Sequence, residues 1–286
     1  MLDARSGIAS REDALRSWES TASSFSNRPG LQWRALQDAS NQVIIQHGNN
    51  LIFPEGRRQA WPDWQLNAID PYMQGELVWL DIDTLIRQRS GGRKSLDDFA
   101  RGFFGIRDGS LVAAPYTFDD LVAALDAVMP YDWATFLRAR VDSVGIPADL
   151  DGVTRGGYRL TWNDQPPSNQ QARENKSGEA DLSFSAGMTL NKDGEVTDVG
   201  WGGPAWQAGL VIGAKVMSVN GVPYQSSVIK AAIAAARAGT PIGLQVARGQ
   251  TEQSLSLIWG GGLRYPHLER VPGAPALLDD ILKARP

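Results

Sequence analysis

The chain has 286 residues, 42% of them hydrophobic and 21% charged, with a net charge of −4 and a pI near 5.3. Those proportions belong to a globular protein long enough for two ordinary domains and a sizeable core. The acidic balance and the lack of any basic block argue against nucleic acid or an anionic membrane as partner, and the absence of cysteine excludes disulfides and thiolate chemistry.

Up to about residue 160 the chain reads as a succession of capped helices. Ser10 with Asp13 makes a capping-box start, and Leu15, Trp18, Ala22 and Phe25 follow at helical spacing until Arg28-Pro29-Gly30 stops the pattern. Leu31–Ile45 is expected as a second helix, with Trp33, Leu36 and Val43 or Ile44 inward, and Asn49–Gln65 as a loop. Residues 72–88 are apolar nearly all round, which marks a buried helix, and Gly91-Gly92 ends it. Ser95 with Asp98 and Thr117 with Asp120 open two more helices, and Asp132 caps a last one through Val141. Asp81, Asp83, Asp97 and Asp98 read as helix-face and N-terminal carboxylates complementing the macrodipole.

Residues 163–179 are polar and read as a linker. Beyond them the period changes to strand-like runs at Leu182–Leu190, Glu195–Val199, Lys215–Val219, Ile242–Ala247 and Ser254–Trp259. Helices Pro204–Ala208 and Ser227–Arg237, stopped by Gly209 and Gly239, interrupt them. The expected organisation is multidomain α+β: an all-α subdomain over 1–162, a linker over 163–179, a small β-barrel with two helices over 180–262, and a tail over 263–286 with one helical candidate, Pro275–Lys283. Gly260-Gly261-Gly262 reads as a hinge.

Candidate chemistry is sparse. No run reaches the ~18 apolar residues of a membrane span, and Met1-Leu2-Asp3-Ala4-Arg5-Ser6 lacks an apolar signal core, so the compartment stays open between cytoplasm and periplasm. With His47 and His267 as the two histidines, an H-E-x-x-H zinc helix cannot be written, and no metal ligands are assigned. Seven of the ten tryptophans precede residue 165, as core packing or as an aromatic wall for a peptide.

Two segments carry a family resemblance. Pro204-Ala205-Trp206-Gln207-Ala208-Gly209-Leu210, then Gly213 and Val219-Asn220-Gly221, is similar to the bacterial PDZ signature, with Ala214 where that signature has aspartate. The resemblance implies a peptide groove: loop residues Phe184, Ser185, Ala186, Gly187 and Met188 capturing a terminal carboxylate, Thr189 and Leu190 pairing with the peptide, and Ile229 and Ile233 on the facing helix. A groove closed by the chain itself, serving as a spacer, is the other reading.

Tyr72 to Gly105, through Gly75-Glu76-Leu77-Val78-Trp79-Leu80, resembles the glycyl-aminopeptidase-like family of thermolysin-like (gluzincin) zinc metallopeptidases that bear PDZ domains. Gln74 stands where that family has lysine. The resemblance implies the C-terminal portion of a bacterial zinc aminopeptidase, truncated before its metal-bearing half, with zinc in the complete protein and no cofactor in this chain. It implies that the Tyr72 hydroxyl donates to the developing oxyanion; a tyrosine packed at a helix start is the plainer reading. The chain alone is expected to be inactive, with peptides or protein C-termini and the missing half as partners. A non-catalytic PDZ adaptor on a helical scaffold is the alternative.

Overall fold

The computed structural model describes residues 2–26, 30–41, 71–105, 109–236 and 239–284. The expected loop Asn49–Gln65, His47, Trp61, Trp64, the end of the expected Leu31–Ile45 helix, the breaker pair Arg28-Pro29 and the helix end at Arg237 lie outside them. The chain divides into two compact units: Met1–Phe25 with Pro29–Arg159 and Leu268–Pro286, and Ser26–Arg28 with Leu160–His267.

Unit one is built of helices whose starts follow from their caps. Helices α1 (Leu2–Arg5), α2 (Arg11–Ser24) and α3 (Gly30–Trp33) come first, and the Ser10 side chain accepts from the Asp13 amide at 3.0 Å. Where one helix was expected over Leu31–Ile45, Arg34 and Ala35 leave helical geometry and a new turn begins at residue 36. Then follow α4 (Pro71–Ser90), α5 (Leu96–Phe103), α6 (Phe118–Val128), α7 (Trp133–Val141) and α8 (Asp151–Arg155). Ser95/Asp98 and Thr117/Asp120 form complete capping boxes, each satisfying two end N–H groups that would otherwise lack partners.

The all-round apolarity of α4 has a direct cause. Leu77 and Leu80 pack into one core with Trp18, Phe25, Val153 and Leu278, while Val78, Ile82, Leu85 and Ile86 pack into another with Phe99, Leu125, Trp133 and Phe136. A helix between two cores has no solvent face over most of its length. Helix α8 crosses α4 closely because residue 152 is glycine: a Cβ there would lie 2.5 Å from the Asp81 backbone nitrogen.

The chain leaves unit one along β1 (Tyr158–Asn163) and returns along β9 (Tyr265–Arg270), which pair as a two-stranded sheet. These strands correct the all-α reading of 1–162 and the tail reading of 263–286. Beyond β9, α12 (Leu277–Leu282) puts Leu278, Ile281 and Leu282 into the first core of unit one.

Unit two opens with α9 (Ser168–Ser177), which replaces the expected linker. Its apolar content is low because its tertiary contacts are polar: buried Glu174 pairs with Lys230 at 2.5 Å and accepts from the Asp181 amide at 3.1 Å. Strands β2 (Ala180–Leu182), β3 (Met188–Leu190) and β4 (Val196–Val199) form one antiparallel sheet, so the run expected as a single strand over Leu182–Leu190 is a hairpin. After α10 (Pro204–Gln207), strands β5 (Lys215–Val219), β6 (Val222–Pro223), β7 (Pro241–Arg248) and β8 (Thr251–Ile258) form a second sheet in the order β6-β5-β7-β8, with α11 (Ser226–Ala235) between β6 and β7. The two sheets touch through the bridge Glu195–Lys215 and, among the described residues, do not close the barrel the sequence suggested. The Asn220-Gly221 turn forms as expected: both residues have positive φ, 50° and 81°, and Asn220 Oδ1 accepts from the Gly243 amide at 2.8 Å.

Candidate functional site

In unit one, Tyr72 lies in the first turn of α4 and is 79% exposed. Two residues on, Gln74 is buried, and its Nε2 has no hydrogen-bond partner among the described residues. A Cβ built at Gly75 would meet open space, so nothing described in this chain requires glycine there. Tyr72 thus sits at the exposed start of a helix whose next turns are anchored in two cores.

Three turns into α4, the carboxylate of Asp81 is fully buried and held by the guanidinium groups of Arg140 and Arg155. Arg140 also binds Asp149 at 2.7 Å and reaches Asp151 at 3.6 Å. Burial first, and the charge of Asp81 second, push the Asp149 carboxyl up to about 6 despite Arg140. Oxygens of Asp81, Asp149 and Asp151 lie within 4.8 Å of one another. They nevertheless do not fit a catalytic zinc: the donors are all oxygen, and two guanidinium groups already neutralise them. Asp83, equally buried, accepts from Arg87 Nε at 3.0 Å and the Leu96 amide at 2.9 Å. Asp81 and Asp83 are therefore internal structural charges, not the helix-face carboxylates expected, whereas Asp97 and Asp98 do sit in the first turn of α5.

In unit two, the loop between β2 and β3 carries Phe184, Ser185, Ala186 and Gly187, with Met188 starting β3. Gly187 has φ 75°, and its carbonyl accepts from the Gly200 amide at 2.9 Å. Thr189 and Leu190 lie on β3, the middle strand of its sheet, with β2 on one edge and β4 on the other. Met188, Leu190, Ile229 and Ile233 are each fully buried in the core. Helix α11 packs against β2, and Ser226 Oγ donates to the Gly178 carbonyl. Strand β2 thus fills the slot between β3 and α11 that the sequence reading left for a peptide. Only Leu182 of β2 falls in the expected run Leu182–Leu190; Ala180 and Asp181 precede it, next to the expected linker, and three residues are too few to show a strand period. His267 Nε2 lies 2.9 Å from the Gln165 carbonyl oxygen, a structural contact.

No protein-family model and no curated protein matches the chain. Among solved structures, an aminopeptidase N family protein from Idiomarina loihiensis aligns with 97% of this chain at a TM-score of 0.66 and 17% identity. The chain spans 45% of that structure, so it shares the fold of under half of an aminopeptidase N family protein. The HtrA3 PDZ domain bound to a phage-derived ligand aligns over 41% of this chain and 95% of its own, with 18% identity and a TM-score of 0.21, a value that is no sign of a common fold.

Proposed function

We propose that this chain is the C-terminal, metal-free portion of a zinc aminopeptidase of the glycyl-aminopeptidase-like gluzincin type, acting with a half that carries the H-E-x-x-H helix. The observation that supports the reading is the shared fold with 45% of an aminopeptidase N family protein over 97% of the chain. The exposed tyrosine at the start of α4 is consistent with it. In the joined protein, the Tyr72 hydroxyl would donate a hydrogen bond to the oxygen of the peptide carbonyl as negative charge builds on it. The metal on this reading is held by residues outside this chain.

The test is peptidase activity of the chain combined with such a half, with and without Tyr72→Phe. Loss of one oxyanion donor lowers kcat by roughly 10²–10³, about 3–4 kcal/mol, with little change in KM. Activity of the variant within about twofold of the parent sinks the assignment. So does one tightly held zinc per chain in the chain alone, measured by elemental analysis after dialysis.

A second reading, a PDZ-like peptide-binding adaptor, is supported by the signature Pro204–Gly221, whose helix α10 and Asn220-Gly221 turn form as that signature requires. Gly209 and Gly213 adopt positive φ there. On this reading, a peptide pairing with Thr189 and Leu190 must first displace β2, whereas one captured by the Phe184–Met188 loop need not.

A further inference from the structure

Unit two contains a cavity of about 280 Å³. Its lining includes Trp162, Phe184, Ser185, Trp201, Trp259 and Arg264. The rings are fixed by their own contacts. Trp162 lies 5.0 Å from Phe184 between centroids, Trp201 packs on Trp206 at 4.8 Å, and Trp259 Nε1 donates to the Gly262 carbonyl at 2.7 Å. Ser185, itself buried, accepts from the Arg264 amide at 3.0 Å and so ties the loop to the residue that precedes β9.

Among the described residues, no carboxylate pairs with the charge in this cavity. Arg173 and Lys230 of the same unit each have a carboxylate, Asp181 at 2.8 Å and Glu174 at 2.5 Å. Among the described residues Arg264 has no ion pair; its guanidinium stands over the Trp162 ring, 5.0 Å from the centroid. An aromatic wall holds a flat apolar group, and a guanidinium beside that wall binds a carboxylate more strongly than it would in open water. The space suits one large residue, not an extended ligand.

We propose that this cavity receives the last residue of a peptide that ends in an aromatic side chain, its ring against the tryptophans and its free carboxylate on Arg264. The assignment rests on reading unit two as a peptide-binding module. It uses the loop at Phe184 and Ser185 but neither an edge of β3 nor the face of α11, so β2 can stay in place.

Isothermal titration of the full chain tests it, with an acetylated tetrapeptide ending in phenylalanine offered as free acid and as amide. The acid should bind on the order of tenfold or more tightly than the amide, since a charge-assisted contact is lost. Arg264→Gln should erase that difference, and Trp201→Ala, at a ring 40% exposed, should weaken both peptides. Equal binding of acid and amide overturns the proposal, as does no binding of either. An acid preference that survives Arg264→Gln overturns the cavity while leaving peptide binding by unit two intact. Failure of the phenylalanine peptides together with capture of peptides ending otherwise has that same meaning.

Discussion

Helix α4 of unit one carries Asp81, Asp83 and Arg87 at 7% exposure or less, while the core of unit two is made of alkyl side chains and its one buried carboxylate among the described residues, Glu174, lies on α9 outside that core. The difference concerns how each unit becomes unique. A buried ion network accepts one arrangement and fails abruptly when a member is lost. An alkyl core accepts neighbouring arrangements and loses stability in proportion to the volume removed.

The largest effect should come from breaking the network. Asp81→Ala leaves Arg155 without its buried carboxylate and Arg140 with Asp149 and Asp151 alone, and should cost about 3–5 kcal/mol. Hydrogen exchange should report the loss in α4, α7 and α8 while protection in β7 persists; a uniform loss across both units would contradict the contrast. Somewhat less is expected from Ile233→Ala, which opens a cavity in the alkyl core at roughly 2–4 kcal/mol. Urea denaturation monitored at unit two should register it, and a change under about 1 kcal/mol would mean that α11 is not anchored by its buried side chains.

The smallest effect sharpens the comparison through pH. Asp149 has its carboxyl pushed up to about 6 in the fold, above the roughly 3.9 of an unfolded aspartate. As pH rises, the unfolded chain releases this proton first, so the folded form holds more protons between about pH 4 and pH 6. Its contribution is fully present below about pH 4 and is lost as pH rises through about 6, on the order of 2–3 kcal/mol. Asp149→Asn should therefore flatten this part of the profile of unit one. Parallel profiles for parent and variant across that range would remove Asp149 as the source.

Local chemistry was legible from the sequence, and long-range chemistry was not. Ser10, Ser95, Thr117 and Asp132 cap the helices the spacing announces, since a cap and its helix lie within four residues. The turn at Asn220-Gly221 was readable for the same reason. Strands β1 and β9 escaped because each finds its partner about a hundred residues away, although Tyr158, Leu160 and Trp162 do alternate with polar residues. The burial of Asp81 also depends on distant residues: Arg140, Arg155 and the bare Cα of Gly152. The loop at Phe184–Gly187 was found from its motif, but Trp259 and Arg264, which share a cavity with it, carry no motif at all.

Because Leu278, Ile281 and Leu282 belong to the core that also holds Trp18 and Leu77, unit one is assembled from both ends of the described chain, with unit two inserted between them. Synthesis proceeds at roughly 5–20 residues per second from the N-terminus. The sequence of unit two is therefore complete while the first core of unit one still lacks three of its side chains. Until α12 is made, the helices that precede unit two lack the side chains that complete their shared core.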